Sequence, residues 1–492
     1  MLRCLLIGIL YGAQLERGID LPLPSPATEV RAAAEDMVLR VPPADRPFVR
    51  WLSFYNYPIS NQIRYRRRKS TRFTLNSLSL RPDIVFPYDV PPHPWMEPIS
   101  GTLVRIDLRD FGWTPAQWEE LVPSEPYFGG RWVDHLSWHA LNKGTLSAAA
   151  VMRADWFVRT ITTEPHYSKF FRFPETLDQL KQKFAVDEKV VETFSLDSRG
   201  AVINSLPGLN NRQLIRLQGP VGYFWVTLDV SRNDGERAAL DRPFGITKDG
   251  GEIIWKLPNG LQAYYLVNAQ DQRVDEVPPG IAVDYVTGFK EKTVKNMRSC
   301  VRCHVNGINT FRSDITHMIN EGKIRLYSRD HDKALKLSEL YSSRIYRLLK
   351  QDQESYIEAV ERCTGWSVDE NARAFEEMLI EYAEPAPFRG ITVERACREL
   401  GISPEELTHF IRVVSAYRQD LSGTLGAIGL GTPVKIDAWE QVFPLLAAQV
   451  YTEKQQAKLL AVGLSPDPHA RIGESTTAQP QNAAESGQGG SQ

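Results

Sequence analysis

The chain has 492 residues, of which 42% are hydrophobic and 24% charged, and its 58 Lys and Arg against 60 Asp and Glu leave a formal charge of −2. This balance is that of an ordinary globular chain, long enough for about three domains, and it excludes disorder throughout. Because there is no basic excess, we expect no nucleic-acid partner. The longest apolar run, residues 4–13, is far shorter than the roughly 20 residues that cross a bilayer, so we do not expect an integral membrane protein.

Residues 1–20 have the features of an export sequence. Arg3 precedes the apolar run, and the small residues Gly12 and Ala13 follow it, in the order typical of a secretory signal peptide. Tyr11 stands where a small residue is expected if cleavage follows Ala13, and an ordinary buried first helix is the alternative. We interpret residues 1–20 as a signal peptide and leader, which predicts a periplasmic or cell-envelope protein.

Strand and helix patterns alternate in the region that follows. A proline-rich stretch at 20–28 predicts an extended segment, with folding expected from about Ala27. Residues 102–108 alternate as a half-buried strand does. Thr114 then opens a helix, because a capping-box pattern and a proline at the first turn follow it.

A second group of strands is predicted closer to the middle of the chain. Residues 223–230 are rich in β-forming side chains, and the segments 252–257 and 261–268 flank Asn259-Gly260. Asn-Gly favours a tight hairpin turn because it accepts positive φ angles. We therefore predict a mixed α+β domain over residues 21–295.

The remainder of the chain is predicted to be mostly helical up to residue 464. The spacing of Leu337, Leu340, Tyr341, Ile345 and Leu348 predicts a helix over 334–349. Further helices are predicted over 353–363, 369–382, 392–400, 404–418 and 438–460. The tail, residues 465–492, has almost no large apolar side chains and is predicted to be disordered.

One motif carries specific chemistry. Cys300, Cys303 and His304 form a C-x-x-C-H sequence, which is the attachment pattern of c-type haem. On one helical turn the two thiols can each bond a vinyl-derived carbon of the porphyrin, while the imidazole serves as the proximal iron ligand. With 5 Cys and 9 His in the chain, a chance match is expected only about 0.001 times. We therefore predict one covalently attached haem c.

Two other chemistries use similar residues. A zinc site needs four ligands, and no second C-x-x-C or H-x₃₋₅-H pair lies nearby in the sequence. A thioredoxin-like dithiol follows a strand in a βαβ unit, whereas residues 293–299 show no such unit. Both alternatives are weaker than haem attachment.

The sixth iron ligand is left open by the sequence. Met378 lies on a predicted helix and would give His/Met ligation, although a core methionine is the commoner role. His317, just beyond the motif, would give bis-histidine ligation; Met318 and an open coordination position are further alternatives. Cys363 and Cys397 could form a disulfide in an oxidising compartment or remain buried thiols.

The residues ahead of the motif carry a family resemblance. Residues 250–262 read GGEIIWKLPNGLQ, with Ala263 and Tyr264 following, and Cys300–His304 comes some 35 residues later. This resembles large single-haem cytochrome c-type proteins of bacteria such as planctomycetes, and the similarity extends over 105–113, 153–157 and the helical C-terminal half. The resemblance implies a periplasmic or cell-envelope haem protein. With the strand and helix patterns above, we predict an α+β fold in which an N-terminal mixed α/β domain precedes a mainly helical cytochrome c-like haem region. The resemblance carries over Cys300, Cys303 and His304 and implies no substrate.

Together these features predict an electron-transfer protein with a redox partner protein. A simple carrier needs only about one domain of roughly a hundred residues, and the additional length suggests partner docking or a catalytic role. A peroxidase-like haem oxidoreductase and a haem-based sensor are therefore the alternatives. A carrier would be six-coordinate and inert to added ligands, whereas an enzyme would have a displaceable ligand.

Overall fold

A computed structural model describes residues 25–57, 61–90, 102–128, 135–186, 198–205, 208, 210–284, 292–322, 331–380 and 390–461, with the side chains of 61, 62, 135, 378–380, 459 and 460 excepted. The predicted signal peptide (1–20) and disordered tail (465–492) lie outside these residues. The described part of the chain is mixed α+β, as the sequence predicts. Within it, no helix combines the length and the apolar character needed to cross a bilayer.

The N-terminal part is a small sheet surrounded by helices. Its elements are α1 (Pro26–Arg40), β1 (Val49–Ser53), α2 (Asn61–Ser77), β2 (Tyr88–Asp89), β3 (Leu103–Asp107), α3 (Pro115–Glu119), α4 (His135–Thr145), β4 (Val151–Arg153), α5 (Ala154–Ile161), α6 (His166–Phe171) and α7 (Leu177–Lys183). The strand order is β2-β3-β1-β4, with β1 antiparallel to β3 and parallel to β4. The predicted strand at 102–108 is β3, and the predicted capping box of Thr114 and Gln117 begins α3.

The middle of the chain forms an antiparallel six-stranded sheet with the order β10-β9-β8-β7-β6-β5. Its strands are β5 (Ser198–Val202), β6 (Arg212–Gln218), β7 (Tyr223–Asp229), β8 (Gly250–Lys256), β9 (Gln262–Asn268) and β10 (Arg273–Val274). The predicted strand at 223–230 is β7, and the predicted hairpin joins β8 to β9. Gly260 in its turn has φ +94°, which explains the glycine because other residues rarely adopt this angle.

A short two-stranded ribbon and a run of helices complete the fold. These elements are β11 (Glu276–Val277), β12 (Val294–Lys295), α8 (Arg298–Cys303), α9 (Asp314–Asn320), α10 (His331–Leu340), α11 (Arg344–Thr364), α12 (Val368–Ile380), α13 (Val393–Leu400), α14 (Pro404–Tyr417), α15 (Ser422–Gly429) and α16 (Ile436–Ala461). The helices predicted over 353–363, 369–382, 392–400, 404–418 and 438–460 correspond to α11, α12, α13, α14 and α16. The prediction of a single helix over 334–349 is wrong, because α10 ends at Leu340 and α11 begins at Arg344. Tyr341 lies in this break, fully buried, and donates its hydroxyl to the Pro243 carbonyl at 2.6 Å.

Helix α11 packs into the core that also contains the six-stranded sheet. Ile345, Leu349, Tyr356 and Val360 are buried on one face of this helix. They belong to one apolar cluster that also contains residues of both larger sheets and of α16. Helix α11 also contacts the segment between β12 and α9, which carries the C-x-x-C-H motif, through the bond from Gln353 Nε2 to the Ile308 carbonyl at 2.7 Å.

Candidate functional site

The C-x-x-C-H motif occupies one short helix and its end. Cys300 and Cys303 lie on α8, and His304 follows at the C-terminus, where its backbone N–H donates to the Cys300 carbonyl at 2.8 Å. This single turn places all three side chains on the wall of the same cavity. The structure therefore brings together the three residues that the sequence singled out.

The cavity is large and has walls of different character. Its volume is about 1030 Å³, at the upper end of the range of about 300–1,000 Å³ typical of small-molecule and cofactor sites. The cavity is lined by residues of β6, β7 and β8, by α8 and by residues 308–312 and 314. Leu214, Trp225, Ile254, Ile308 and Phe311 supply an apolar surface on which a flat aromatic molecule could lie.

His304 is held in a defined orientation. Its Nδ1 lies 3.1 Å from the Gly307 carbonyl oxygen, and since a carbonyl only accepts, Nδ1 is the donor of this hydrogen bond. Gly307 has φ +85°, and a Cβ there would approach Tyr356 Cδ1 to 3.3 Å. The turn after the motif thus requires glycine, and it leaves Nε2 as the ring nitrogen that faces Glu252.

The two thiols are protonated at neutral pH. Burial, followed by the Glu252 carboxylate, raises the pKa of the Cys300 thiol well above its ordinary value. The same two causes raise the pKa of Cys303 to about 12. A redox dithiol, which reacts through its thiolate, is disfavoured in this environment. Within the described residues, no group of three or more His, Cys, Asp or Glu side chains is placed to hold a metal ion.

Glu252 faces the imidazole from the sheet wall. Its Oε1 lies 3.4 Å from His304 Nε2, and its side chain is 13% exposed. Burial alone would raise the pKa of this carboxyl, but His304, Arg212 and the Cys300 thiol together lower it to about 2. Glu252 and Ile254 share the cavity face because side chains alternate along β8.

Glu252 is the site residue that sequence reasoning missed. It stands in the GGE stretch that carries the family resemblance, but nothing local to the sequence assigns it a role. The contact with His304 depends on how β8 is placed in the sheet, which spacing along the chain does not reveal.

His317 is not among the described residues that line the cavity, and the side chain of Met378 is not described. His317 lies on α9 with its Nε2 3.1 Å from Glu321 Oε1 and is 39% exposed. Of Met378, only the backbone is described, in α12; its side chain lies outside the described part. Ligation by either residue stays a prediction. Cys363 and Cys397 are both free and buried, as separate thiols.

Comparison with known proteins adds no relative to these observations. No known protein family matches the chain, and neither the curated proteins nor the solved structures give a significant match. The chemistry of the cavity therefore rests on its own residues: two protonated thiols, one oriented imidazole and an apolar wall.

Proposed function

We propose that the chain is a c-type cytochrome that binds one haem covalently and transfers electrons in the bacterial cell envelope. The observation that carries the proposal is the placement of Cys300, Cys303 and His304 on one cavity of about 1030 Å³. When bound, a haem would supply an iron that cycles between the ferrous and ferric states. Covalent attachment is made outside the cytoplasm in bacteria, which agrees with the predicted export sequence and with a redox partner protein there.

Each site residue has a distinct role in this proposal. The Cys300 and Cys303 thiols would each add across one vinyl group, with the sulfur bonding one carbon and the proton passing to the other. This addition consumes one reduced thiol and one vinyl group at each position, and both cysteines are free thiols in the structure. The Gly307 carbonyl, 3.1 Å from Nδ1, would keep His304 Nε2 directed at the iron. The apolar wall would exclude water from the macrocycle and so help to set its potential.

The test is covalent haem content after expression of the full chain in a host that matures c-type cytochromes. We expect the intact mass to include one haem. The haem absorption should remain with the protein after denaturation, because the haem is covalently attached. Cys300→Ala with Cys303→Ala should abolish covalent haem, and His304→Ala should lose the iron ligand. Cys397→Ala, which removes a free cysteine of α13 outside the motif, is the matched control. Wild-type protein with free motif thiols and no added mass would contradict the proposal.

A haem-dependent oxidoreductase is the second candidate, favoured by the charged groups in the cavity. Arg212 and Glu252 both line it, beside the apolar wall. A carboxylate such as Glu252 could accept a proton from a bound peroxide, and an arginine such as Arg212 could stabilise the negative charge that develops. Turnover of peroxide by the mature protein would favour this candidate, whereas inertness to peroxide and carbon monoxide would favour the carrier.

A further inference from the structure

We infer that Glu252 faces the sixth coordination position of the iron, on the side of the haem opposite His304. This inference rests on the proposed function, because it concerns the same cavity and requires the haem to be bound through His304. It assigns to this carboxylate the place for which Met378 and His317 were the candidates from sequence.

The first argument is the direction of the histidine. Because Nδ1 is committed to the Gly307 carbonyl, the atom left to bind iron is Nε2. The group that meets Nε2 is Glu252 Oε1, at 3.4 Å. Bonds of about 2 Å from a metal to an imidazole nitrogen and to a carboxylate oxygen place those two atoms about 4 Å apart across the metal. The observed separation is shorter by only about 0.6 Å, so a small opening of the cavity would place Glu252 Oε1 at the sixth position.

The second argument is the way in which the backbone of Glu252 is fixed. The β7–β8 pairing is interrupted between the Val226–Ile253 and Asp229–Gly250 pairs. In this gap the Glu252 N–H donates to the Thr227 hydroxyl at 2.8 Å, and that hydroxyl donates to Asp229 at 2.9 Å.

Asp229 is in turn anchored by Arg212, whose Nε lies 2.5 Å from its Oδ1. The carboxylate is therefore presented from a rigid, hydrogen-bonded part of the sheet, and the sheet is not expected to withdraw it when a haem enters.

The third argument is the composition of the remaining wall. The described residues that line the cavity include no methionine and no histidine besides His304. Its other charged members are Arg212, Arg312 and Asp314. Asp314 accepts the Ile203 N–H at 2.8 Å, so among the described wall residues Glu252 is the carboxylate directed at the imidazole.

A carboxylate in this place would have measurable consequences. Its negative charge stabilises ferric over ferrous iron and repels anionic ligands such as cyanide. Neutralising it should therefore raise the reduction potential and strengthen cyanide binding to the ferric protein. Replacing it with an imidazole should give the iron a second strong nitrogen ligand.

The experiment compares mature full-length wild-type protein with Glu252→Gln, Glu252→His and the control Glu276→Gln, which changes an exposed glutamate on β11. Covalent haem is first verified by intact mass. A wild type without haem would contradict the proposed function itself, and this outcome is thereby distinguished from a failure of the inference about Glu252. Midpoint potential, ferric spectrum and cyanide affinity are then measured.

We expect Glu252→Gln to raise the midpoint potential by about 59 mV, which is a tenfold shift of the one-electron equilibrium toward ferrous iron. The ferric form of this variant should bind cyanide at least tenfold more tightly than the wild type. Glu252→His should give a low-spin ferric spectrum and resist cyanide, a gain that loss of structure would not produce. The control should match the wild type. If both Glu252 variants carry haem and retain the wild-type potential, spectrum and cyanide affinity, Glu252 does not face the iron.

Discussion

Glu29 is a fully buried carboxyl group on α1, and it is not among the residues that line the candidate cavity. The Ser53 hydroxyl donates to its Oε2 at 2.5 Å and the Thr102 hydroxyl to its Oε1 at 2.8 Å. Burial is the largest influence and raises the pKa of Glu29 from 4.5 to about 7, in spite of these bonds and the charge of Arg64. Between pH 4.5 and about pH 7, the folded chain therefore keeps a proton on Glu29 that the unfolded chain has released.

This single residue predicts a pH dependence of stability. Since the folded pKa is the higher one, the contribution of Glu29 is most favourable below pH 4.5 and is lost as the pH rises through about 7. A difference of this size corresponds to about 3 kcal/mol. Glu29→Gln cannot titrate, so its free energy of unfolding relative to wild type should increase by about 3 kcal/mol between pH 4 and pH 8, measured by urea denaturation.

The matched control is Glu339→Gln, which changes an exposed glutamate on α10. Its stability should follow the wild type across the same pH range. A Glu29→Gln variant whose stability also parallels the wild type would show that folding does not raise the pKa of Glu29.

At the scale of single residues, the site was predictable where its chemistry is local. Cys300, Cys303 and His304 are recognisable because haem attachment needs them on one helical turn. Glu252 was not, since its contact with His304 Nε2 depends on strand pairing between distant segments. The role of Gly307 was not predictable either. Its positive φ and its contact with His304 Nδ1 are known only from the three-dimensional position of the histidine ring.

At the scale of elements, the first turn of α14 depends on a capping box. Ser403 Oγ accepts the Glu406 N–H at 3.2 Å, and Glu406 Oε2 accepts the Ser403 N–H at 2.7 Å. These bonds satisfy two backbone donors that the helix itself leaves unpaired. Ser403→Ala should lower the free energy of unfolding by about 1 kcal/mol, measured by chemical denaturation, whereas Ser403→Asp keeps an acceptor and should stay within a few tenths. Equal losses in the two variants would show that the cap contributes nothing.

Elements were predictable from the sequence wherever local chemistry determines them. The capping patterns at Thr114 and Ser403 begin helices, and Asn259-Gly260 forms the hairpin turn. The helix predicted over 334–349 failed because its apolar spacing continues through Tyr341. That side chain is buried against the loop at Pro243, a tertiary contact that overrides the helical periodicity.

At the scale of the whole molecule, contacts cross the boundary predicted between residues 295 and 296. On the sheet side, Arg216 of β6 pairs with Asp352 of α11 through two bonds of 3.0 and 3.1 Å, and Trp225 Nε1 donates to the same carboxylate at 2.8 Å. Both charged side chains are only 7% exposed. Composition indicates where strands give way to helices, but it does not indicate that the helices share a core with the strands.

The Arg216–Asp352 pair predicts how the two regions unfold. Asp352→Ala would leave the buried Arg216 charge and the Trp225 N–H without their acceptor, and breaking a buried pair in this way costs about 3–5 kcal/mol. Because the pair joins the sheet to α11, we expect the loss to appear in both regions, as one transition at lower denaturant concentration. Urea denaturation followed by far-ultraviolet circular dichroism and by tryptophan fluorescence measures this.

Glu358→Ala, on the exposed side of the same helix, should change stability by no more than about 0.5 kcal/mol. If Asp352→Ala instead separates the two signals, with one midpoint unchanged, the sheet and the helices unfold as independent domains and the boundary near residue 295 is a physical one.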